Sequence, residues 1–446
     1  MGRIARTAET FVPHHDLKAY FLRRLLLIPL TLLGITALVF GIIRAAPGGP
    51  VEQSLARLMG GEGTKRSRIE ASASLTAAQV LEVEEKHDRD KGHLRGYAEW
   101  LGLMPRDLVK VGKEFPHGAK EMEMTVPGTV HTITVQRNEQ NEASFKGPDG
   151  VDLSMWKIRL RTPEEQAERW SKWLEGAKLD KNPEYRAILF QPGYDGLLQG
   201  SLGDSKKYQD PVWSMIIERM PVSLWFGAFS MLAIYGICLP LGILKAIKHR
   251  SWLDNFSSLA VFVGYAVPGF ALGSLMLVYL GAKWDLFPLR GFTGDDFENL
   301  SLGGKVKDLM SHTFMPLVCY LVSSFAFMTL LVKNNLMDNL ASDYVRTATA
   351  KGVSYPSAVF RHAFRNSLIP VATTFGENLA LLVTGSVLIE KVFDINGFGL
   401  LQFNAVLERD ETVIMGVLFV SAALVALGKV ISDLCVALVD PRVSYK

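Results

Sequence analysis

The sequence predicts an all-α, polytopic membrane protein with six membrane-spanning helices and a polar α+β insertion between the first and second. Three observations carry that expectation. Only 21% of the 446 residues are charged while 48% are hydrophobic, below the ~25% charged fraction of an average soluble domain. The charges are unevenly placed, since residues 51–210 hold 24 basic and 26 acidic side chains of the 48 and 45 in the whole chain. The rest breaks into long apolar runs. A net charge of +3 is too small a bias to point to nucleic acid as a partner.

The runs are Leu25–Ile43, Val222–Leu244, Phe256–Leu280, Phe314–Val332, Ile369–Ile389 and Val413–Val439, each 19 to 27 residues long. A helix needs ~20 apolar residues to cross a bilayer, so all six qualify by length. Pro29, Pro240, Pro268 and Gly376 fall inside them, which membrane helices tolerate where neighbours re-satisfy the backbone. One such run reads equally as a buried core helix; six in one chain do not. The first run, between Arg23-Arg24 and Ala45-Ala46, imitates a cleaved signal peptide. Its 19 apolar residues exceed the usual signal core of about 7–15, so an uncleaved first helix is expected.

Orientation follows from basic residues in short loops. With the N-terminus inside, segments 1–24, 245–254, 333–366 and 440–446 carry 15 Lys and Arg, whereas outside loops 282–313 and 391–411 carry six. Both termini are therefore expected in the cytoplasm and residues of about 45–220 outside it. The organisation that follows is 1–50 for the N-terminus and first helix, 51–210 for the external region, and 211–446 for the membrane core.

Within the external region, 51–100 and 162–190 look helical and charged, with Thr76-Ala-Ala-Gln79 as a capping-box start. Between them Thr129–Gln136 alternates as a strand does, followed by Ala143–Lys146 and Met155–Leu160 with turn-rich segments between. A small α+β subdomain over about 98–190, containing a β-hairpin or meander, is expected. Trp156, Trp170 and Trp173 either form a binding face or pack its core, and packing is the simpler reading. Cys238, Cys319 and Cys435 all lie in apolar runs, so neither a disulfide framework nor a zinc site is implied.

The loop after the fourth run is the most informative stretch. Asp343-Tyr-Val-Arg-Thr-Ala-Thr-Ala-Lys-Gly352 reads as a short helix stopped by a glycine suited to the left-handed cap. Ser354-Tyr355-Pro356 then restarts a second helix with Pro in its first turn. With Lys351, Arg361 and Arg365 this makes either a compact knob for another protein to grip or an amphipathic loop on lipid headgroups.

These residues resemble the coupling loop of ABC-importer permeases, over 334–366. Arg346-Thr347-Ala348 stands where that superfamily usually has Glu-Ala-Ala, Gly352 follows Ala348 by four positions, and Phe364-Arg365 replaces the usual Leu-Pro. The departures resemble the dipeptide/oligopeptide branch. Arg23-Arg24 to Ala46-Pro47-Gly48-Gly49-Pro50, Leu202-Gly203-Asp204-Ser205 before Pro221-Val222-Ser223, Glu390-Lys-Val-Phe393, Gly397-Phe-Gly399, Arg409-Asp410, Asp433 and Asp440-Pro441-Arg442 are similar to the same branch. Gly264-Tyr-Ala-Val-Pro-Gly269 and Phe287-Pro-Leu-Arg-Gly291 resemble one subgroup, the Yej-type peptide (microcin C) permeases. The likeness covers about 1–95 and 195–446 and leaves out the inserted subdomain.

The resemblance implies the ABC importer permease fold in an inner membrane. It implies a second homologous permease subunit, giving a heterodimer, ABC ATPase subunits below and an extracytoplasmic peptide-binding protein above. Residues Arg346, Thr347, Ala348, Ala350, Lys351, Gly352, Val353, Ser354, Tyr355 and Pro356 would then meet the ATPase. No phosphate-binding Gly-x-x-x-x-Gly-Lys-Ser/Thr occurs, so ATP and its magnesium are expected in the ATPase and no cofactor or metal in this chain. Glu377 and Asn378, midway along the fifth run, either line the translocation path or bond to a neighbouring helix, because a carboxylate at that depth needs water or a partner. Lys429 and Asp433 are spaced to neutralise each other one turn apart. An intramembrane enzyme lacks its nucleophile–base set, since His249, His312 and His362 fall at run ends or in loops. A sensor would need a larger cytoplasmic segment than these loops provide.

Overall fold

A computed structural model describes residues 15–49, 51–54, 77–148, 151–173 and 183–439. Pro50, Thr76, the Asp440-Pro441-Arg442 signature and the Trp173 side chain lie outside the described residues. The chain divides into two compact units. One takes residues up to 36, 214–407 and from 417 onward, and the other takes 37–213 and 408–416.

The first unit is helical. Helix α1 (His15–Ala45) contains the first apolar run. The polar unit's helices, α2 (Ala77–Lys86), α3 (His93–Leu101) and α4 (Pro163–Trp173), come next in the chain. Helix α5 (Val212–Ala233) passes through a π turn at Ile234–Cys238 into α6 (Leu239–Ile247). The π turn sits just before Pro240, whose missing N–H already interrupts the α ladder. Next come α7 (Trp252–Ala266), α8 (Gly269–Met276) with a π turn over Leu277–Lys283, and the 40-residue α9 (Leu302–Ala341). The chain closes with α10 (Asp343–Ala350), α11 (Tyr355–Ser357), α12 (Phe364–Val383), α13 (Val387–Val392), α14 (Phe398–Glu408) and α15 (Glu411–Val439).

Among the described residues, three helical stretches are long and apolar enough to cross a membrane: Lys18–Ala45, Val212–Ile247 and Glu411–Val439. Two bent pairs raise the number to five. The pair α7 and α8 turns by 91° at Val267-Pro268, where Val267 is extended at φ −96°, ψ 117°, as a residue before proline prefers. Helix α9 bends by 46° between residues 322 and 324. The run Ile369–Ile389 is not one uninterrupted helix. It ends at Val383, turns at Gly385 with φ +78°, and resumes as the six-residue α13.

Phe226, Cys238, Met315, Cys319, Tyr320 and Phe393 are buried at the centre of this unit. The three cysteines are free thiols. Helices α12 and α15 cross at Gly376 and Gly428, where a Cβ on either would overlap the other's carbonyl oxygen. The Gly376 N–H donates to Ser432 Oγ at 2.9 Å, so lack of a side chain lets two backbones touch.

The second unit is built on two three-stranded antiparallel sheets. One orders β1 (Arg106–Glu114), β6 (Arg186–Gly193) and β5 (Lys157–Arg161), with β6 in the middle. The other is a meander of β2 (Glu121–Thr125), β3 (Thr132–Arg137) and β4 (Ala143–Lys146). Alternation drives the meander: Met122, Met124, Ile133 and Val135 face one core together with Phe115, Ala187 and Leu189. The helical expectation for 162–190 holds over α4 and is corrected at its far end, where Arg186–Gly193 is the central strand. The apolar run Ala187-Ile-Leu-Phe190 lacks the alternation of a half-exposed strand because its first three residues are all buried. Trp170 is buried and Trp156 packs against the core, so both are packing residues.

Helices α2 and α3 are tied to the sheets by charge. Glu85 pairs with Arg186 at 3.0 Å, Asp90 with Arg161 at 2.6 Å, and Lys91 with Glu99 at 2.6 Å and Asp107 at 3.3 Å. These groups are largely buried, so each would be costly to leave alone.

The glycine crossing makes a prediction. Gly376→Leu should cost about 1–3 kcal/mol through forced backbone separation, whereas Gly236→Leu, with nothing within 4 Å, should cost little. Thermal melting of the two variants in detergent, read by size-exclusion fluorescence, compares them. Equal midpoints would remove the crossing from the account.

Candidate functional site

The loop after α9 forms a defined knob. Ser342, extended at φ −74°, ψ 149°, is the single residue between α9 and α10. Helix α10 closes with paired cap bonds: Gly352 N–H donates to Thr349 O at 3.0 Å and Val353 N–H to Ala348 O at 3.2 Å. Gly352 holds φ +90°, the left-handed conformation this cap requires and glycine adopts freely. Ser354 and Pro356 start the next helix, which does not stop as a short piece. It runs from Tyr355 through a π turn at Ala358–Ala363 directly into α12.

Two faces separate cleanly. Val345, Ala358 and Ala363 are buried against Ala246 of α6 and Leu336 of α9, with Val353 packed beside them. Arg346, Thr347, Ala350, Lys351, Gly352, Ser354, Tyr355 and Pro356 are exposed, and Ala348 is half-buried. A polar ladder stiffens the base. Tyr344 Oη donates to Asn339 Oδ1 at 2.7 Å, Asn366 Nδ2 donates to Tyr344 Oη at 3.2 Å, and Asn339 Nδ2 donates to Ser367 Oγ at 3.1 Å. Of the residues singled out from sequence, ten therefore share one protruding turn, eight of them fully displayed.

Beside this base lies a clamp that sequence reading missed. Asp254, in the first turn of α7, is 3% exposed. Lys333 of α9 donates to both of its carboxylate oxygens, at 2.7 and 2.9 Å. Lys245 of α6, fully buried, lies 3.3 Å from the same carboxylate and donates to Ser257 Oγ and Ser258 Oγ at 2.8 Å. His249 Nδ1 stands 3.3 Å away. One anion thus gathers α6, α7 and α9. The available signal was that all three charges border apolar runs, but their pairing spans up to 88 residues of sequence between Lys245 and Lys333.

Glu377 and Asn378 point differently. Glu377 is exposed, and among the described residues no hydrogen bond or ion pair of its carboxylate is found, whereas Asn378 Nδ2 donates to Tyr235 Oη at 3.2 Å. The expected Lys429–Asp433 pairing is corrected: Asp433 pairs with Arg24 of α1 and accepts from Tyr20 Oη at 2.9 Å, while Lys429 is exposed. An i,i+4 spacing permits a pair but does not exclude a closer cation on another helix.

The polar unit holds a cavity of about 400 Å³, lined among others by Arg44, His87, Asp88, Asp107, Lys206 and Glu411. Its charges largely answer one another. Asp88 pairs with Lys110 at 2.6 Å and Lys206 at 3.1 Å, and Glu411 pairs with Arg89. Those lysines hold Asp88 below the usual carboxylate range despite its burial. His87 Nε2 lies 3.2 Å from Ser54 Oγ. Burial, with Lys206 and Lys86 nearby, pushes His87 down to about 4.

Comparison with known proteins concerns the chain as a whole. The family described as binding-protein-dependent transport system inner membrane component matches residues 238–445. The peptidoglycan transport system permease protein YejB of Agrobacterium fabrum is 30% identical over 431 residues, covering 96% of this chain and 98% of that protein. The inner membrane ABC transporter permease protein YejB of Escherichia coli O157:H7 is 30% identical over 431 residues, covering 96% and 99%. The oligopeptide transport system permease protein AppB of Bacillus subtilis is 32% identical over 265 residues, covering 59% of this chain and 82% of its own.

Two outcomes are expected. Asp254→Asn leaves two buried lysines without their anion and should cost about 3–5 kcal/mol, read as a fall in melting temperature in detergent; an unchanged midpoint would refute the clamp. His87 binds its proton less readily folded than unfolded. Its contribution to stability is therefore full above the ordinary value of 6.5 and lost as pH falls toward about 4. Melting between pH 7 and 4 should show a slope that His87→Gln flattens.

Proposed function

The chain belongs to the family of binding-protein-dependent transport system inner membrane components, and from that premise we propose how it works as a permease subunit of an ABC importer. It forms half of a transmembrane pathway for oligopeptides or peptide-like compounds and pairs with a second, homologous permease subunit. ABC ATPase subunits bind below, where ATP and magnesium are held, and an extracytoplasmic peptide-binding protein delivers the substrate above. The peptide class is supported by relatives named for peptidoglycan and oligopeptide transport.

In this reading the chain crosses the inner membrane six times, with α12 as the fifth pass. Both termini are cytoplasmic and residues of about 45–220 extracytoplasmic. The distribution of 15 basic residues against six in short loops supports that orientation.

The observation that carries the mechanism is the displayed Gly352 turn on an immobilised base. The exposed residues Arg346, Thr347, Ala350, Lys351 and Ser354–Pro356 dock into the ATPase. Val345, Ala358 and the Asn339–Tyr344–Asn366 ladder pass its displacement to α9 and α12. A knob that deformed would absorb the motion; this one is pinned by apolar packing and hydrogen bonds. ATP drives the shift only to the extent that it favours one arrangement of the assembly over the other. Glu377, exposed in the single chain, faces either the pathway or the partner permease.

The first experiment is a mild-detergent pull-down of the tagged chain from its native membrane, with stoichiometry by mass spectrometry. A second permease chain and ATPase subunits in fixed ratio are expected, and recovery of the chain alone would overturn the importer reading. Gly352→Val tests the knob. The site has open space but φ +90°, so the variant carries local strain of about 1–2 kcal/mol without an internal clash. Membrane insertion should persist while labelled-peptide uptake falls and ATP hydrolysis becomes independent of peptide. Normal coupled uptake would discredit the docking assignment.

A further inference from the structure

Glu390 of α13 is 1% exposed, yet among the described residues it forms no ion pair. Its carboxylate is satisfied by neutral donors instead. Leu400 N–H donates to Oε2 at 2.7 Å and Tyr320 Oη to Oε1 at 3.3 Å. Tyr320 Oη in turn accepts the Ser386 N–H at 2.8 Å. The carboxylate's donors therefore come from α9 and the first turn of α14, and Tyr320 ties in the turn before α13 as well.

Three glycines make room for it. A Cβ on Gly385 would overlap Oε1, one on Gly397 would stand 2.6 Å from Oε2, and one on Gly399 3.0 Å from Oε1. All three positions lie within 15 residues in sequence, at the ends of the two helices that Glu390 joins. The first N–H of α14 is answered separately, since Phe398 N–H donates to Ser223 Oγ of α5 at 2.9 Å. Phe393, 2% exposed, packs where Gly273 of α8 leaves space, and its carbonyl accepts Gly291 N–H at 3.0 Å. The hairpin over residues 385–400 thus has polar anchors on α9 and α5 and an apolar one on α8.

We propose that Glu390 is a positioning residue for transport: through Tyr320 it locks the 385–400 hairpin to the N-terminal half of α9, so the two move as one body. The location of the bend in α9, between residues 322 and 324, gives this meaning. Tyr320 lies on one side of the bend, and Lys333 with the knob-bearing end lies on the other. Displacement of the knob then reaches the hairpin as a rotation about that bend, transmitted by the Tyr320–Glu390 contact. The mechanical part rests on the importer reading above; the locking of the hairpin does not.

The test uses the assembled transporter carrying Glu390→Gln, Tyr320→Phe or both. Glutamine keeps the shape but turns an amide NH₂ toward N–H donors. Amide exchange across 386–400 should rise by about tenfold, the scale set by leaving a buried polar group without its hydrogen bond, while exchange across 343–357 stays unchanged. Peptide-stimulated ATP hydrolysis and uptake should fall together in maximal rate, with half-saturating peptide concentration unchanged. The losses in the double variant should fall short of the sum of the two single losses, since the Tyr320–Glu390 contact is already gone in each. Should Glu390→Gln fail to assemble, Tyr320→Phe, which keeps the ring stacked 5.5 Å from Phe226, carries the same test. Unchanged exchange over 386–400 in both single variants, or additive losses in the double, would overturn the lock. Loss of the copurifying ATPase from the unaltered chain would instead overturn the importer reading and leave the exchange result standing.

Discussion

A polar group taken into an apolar interior must bring its partners with it, and the architecture of the helical unit is arranged around that constraint. Two buried carboxylates meet it in opposite ways. Asp254 recruits two lysines from α6 and α9, so the attraction is between full charges and pins three helices at one point. Glu390 recruits N–H and O–H donors, and its place is set by hydrogen-bond directions and by glycines that leave it room. Removing a partner is costly in both cases, because the remaining group cannot return to water. Each carboxylate therefore acts as a fixed joint between segments distant in sequence.

The joints bracket the bend of α9. Lys333 and the Asn339–Tyr344–Asn366 ladder fix the end that carries the Gly352 turn, and Tyr320 fixes the other half to the 385–400 hairpin. Between the joints the helix departs from a straight line by 46°. A permease has to convert work at one end into rearrangement at the other. Rigid ends on either side of one bend are a simple way to do so without unfolding helices that must keep every backbone group paired.

The polar unit follows a different rule. Its shared apolar core is small, and buried ion pairs such as Glu85–Arg186 and Asp90–Arg161 attach α2 and the turn after it to the sheets. Replacing such pairs by apolar residues is often neutral for stability, whereas breaking one is not. Their contribution here is to define which helix meets which strand. The same density of charge made the segment conspicuous in the sequence while concealing its strands. Ala187 to Leu189, buried on both sides at the sheet centre, do not alternate, and Arg106–Glu114 alternates too weakly to stand out among its charges.

Sequence alone determined what depends on local chemistry and chain order. The apolar runs announced membrane helices because hydrocarbon solvent demands about 20 apolar residues per crossing. Gly352 announced the knob because only glycine adopts a left-handed cap at no steric cost, and its observed φ of +90° follows from that. The family resemblance was legible because its motifs recur in order along the chain. What tertiary structure alone decided is pairing at a distance. Asp433 turns to Arg24 rather than to Lys429 one turn away, Asp254 gathers Lys245 and Lys333, and Glu390 is enclosed by three glycines and a tyrosine 70 residues away. A charge in an apolar setting reveals in sequence that it needs a partner. Which partner it finds depends on how the helices cross, and the Gly376–Gly428 contact shows that crossing being set by the absence of a side chain.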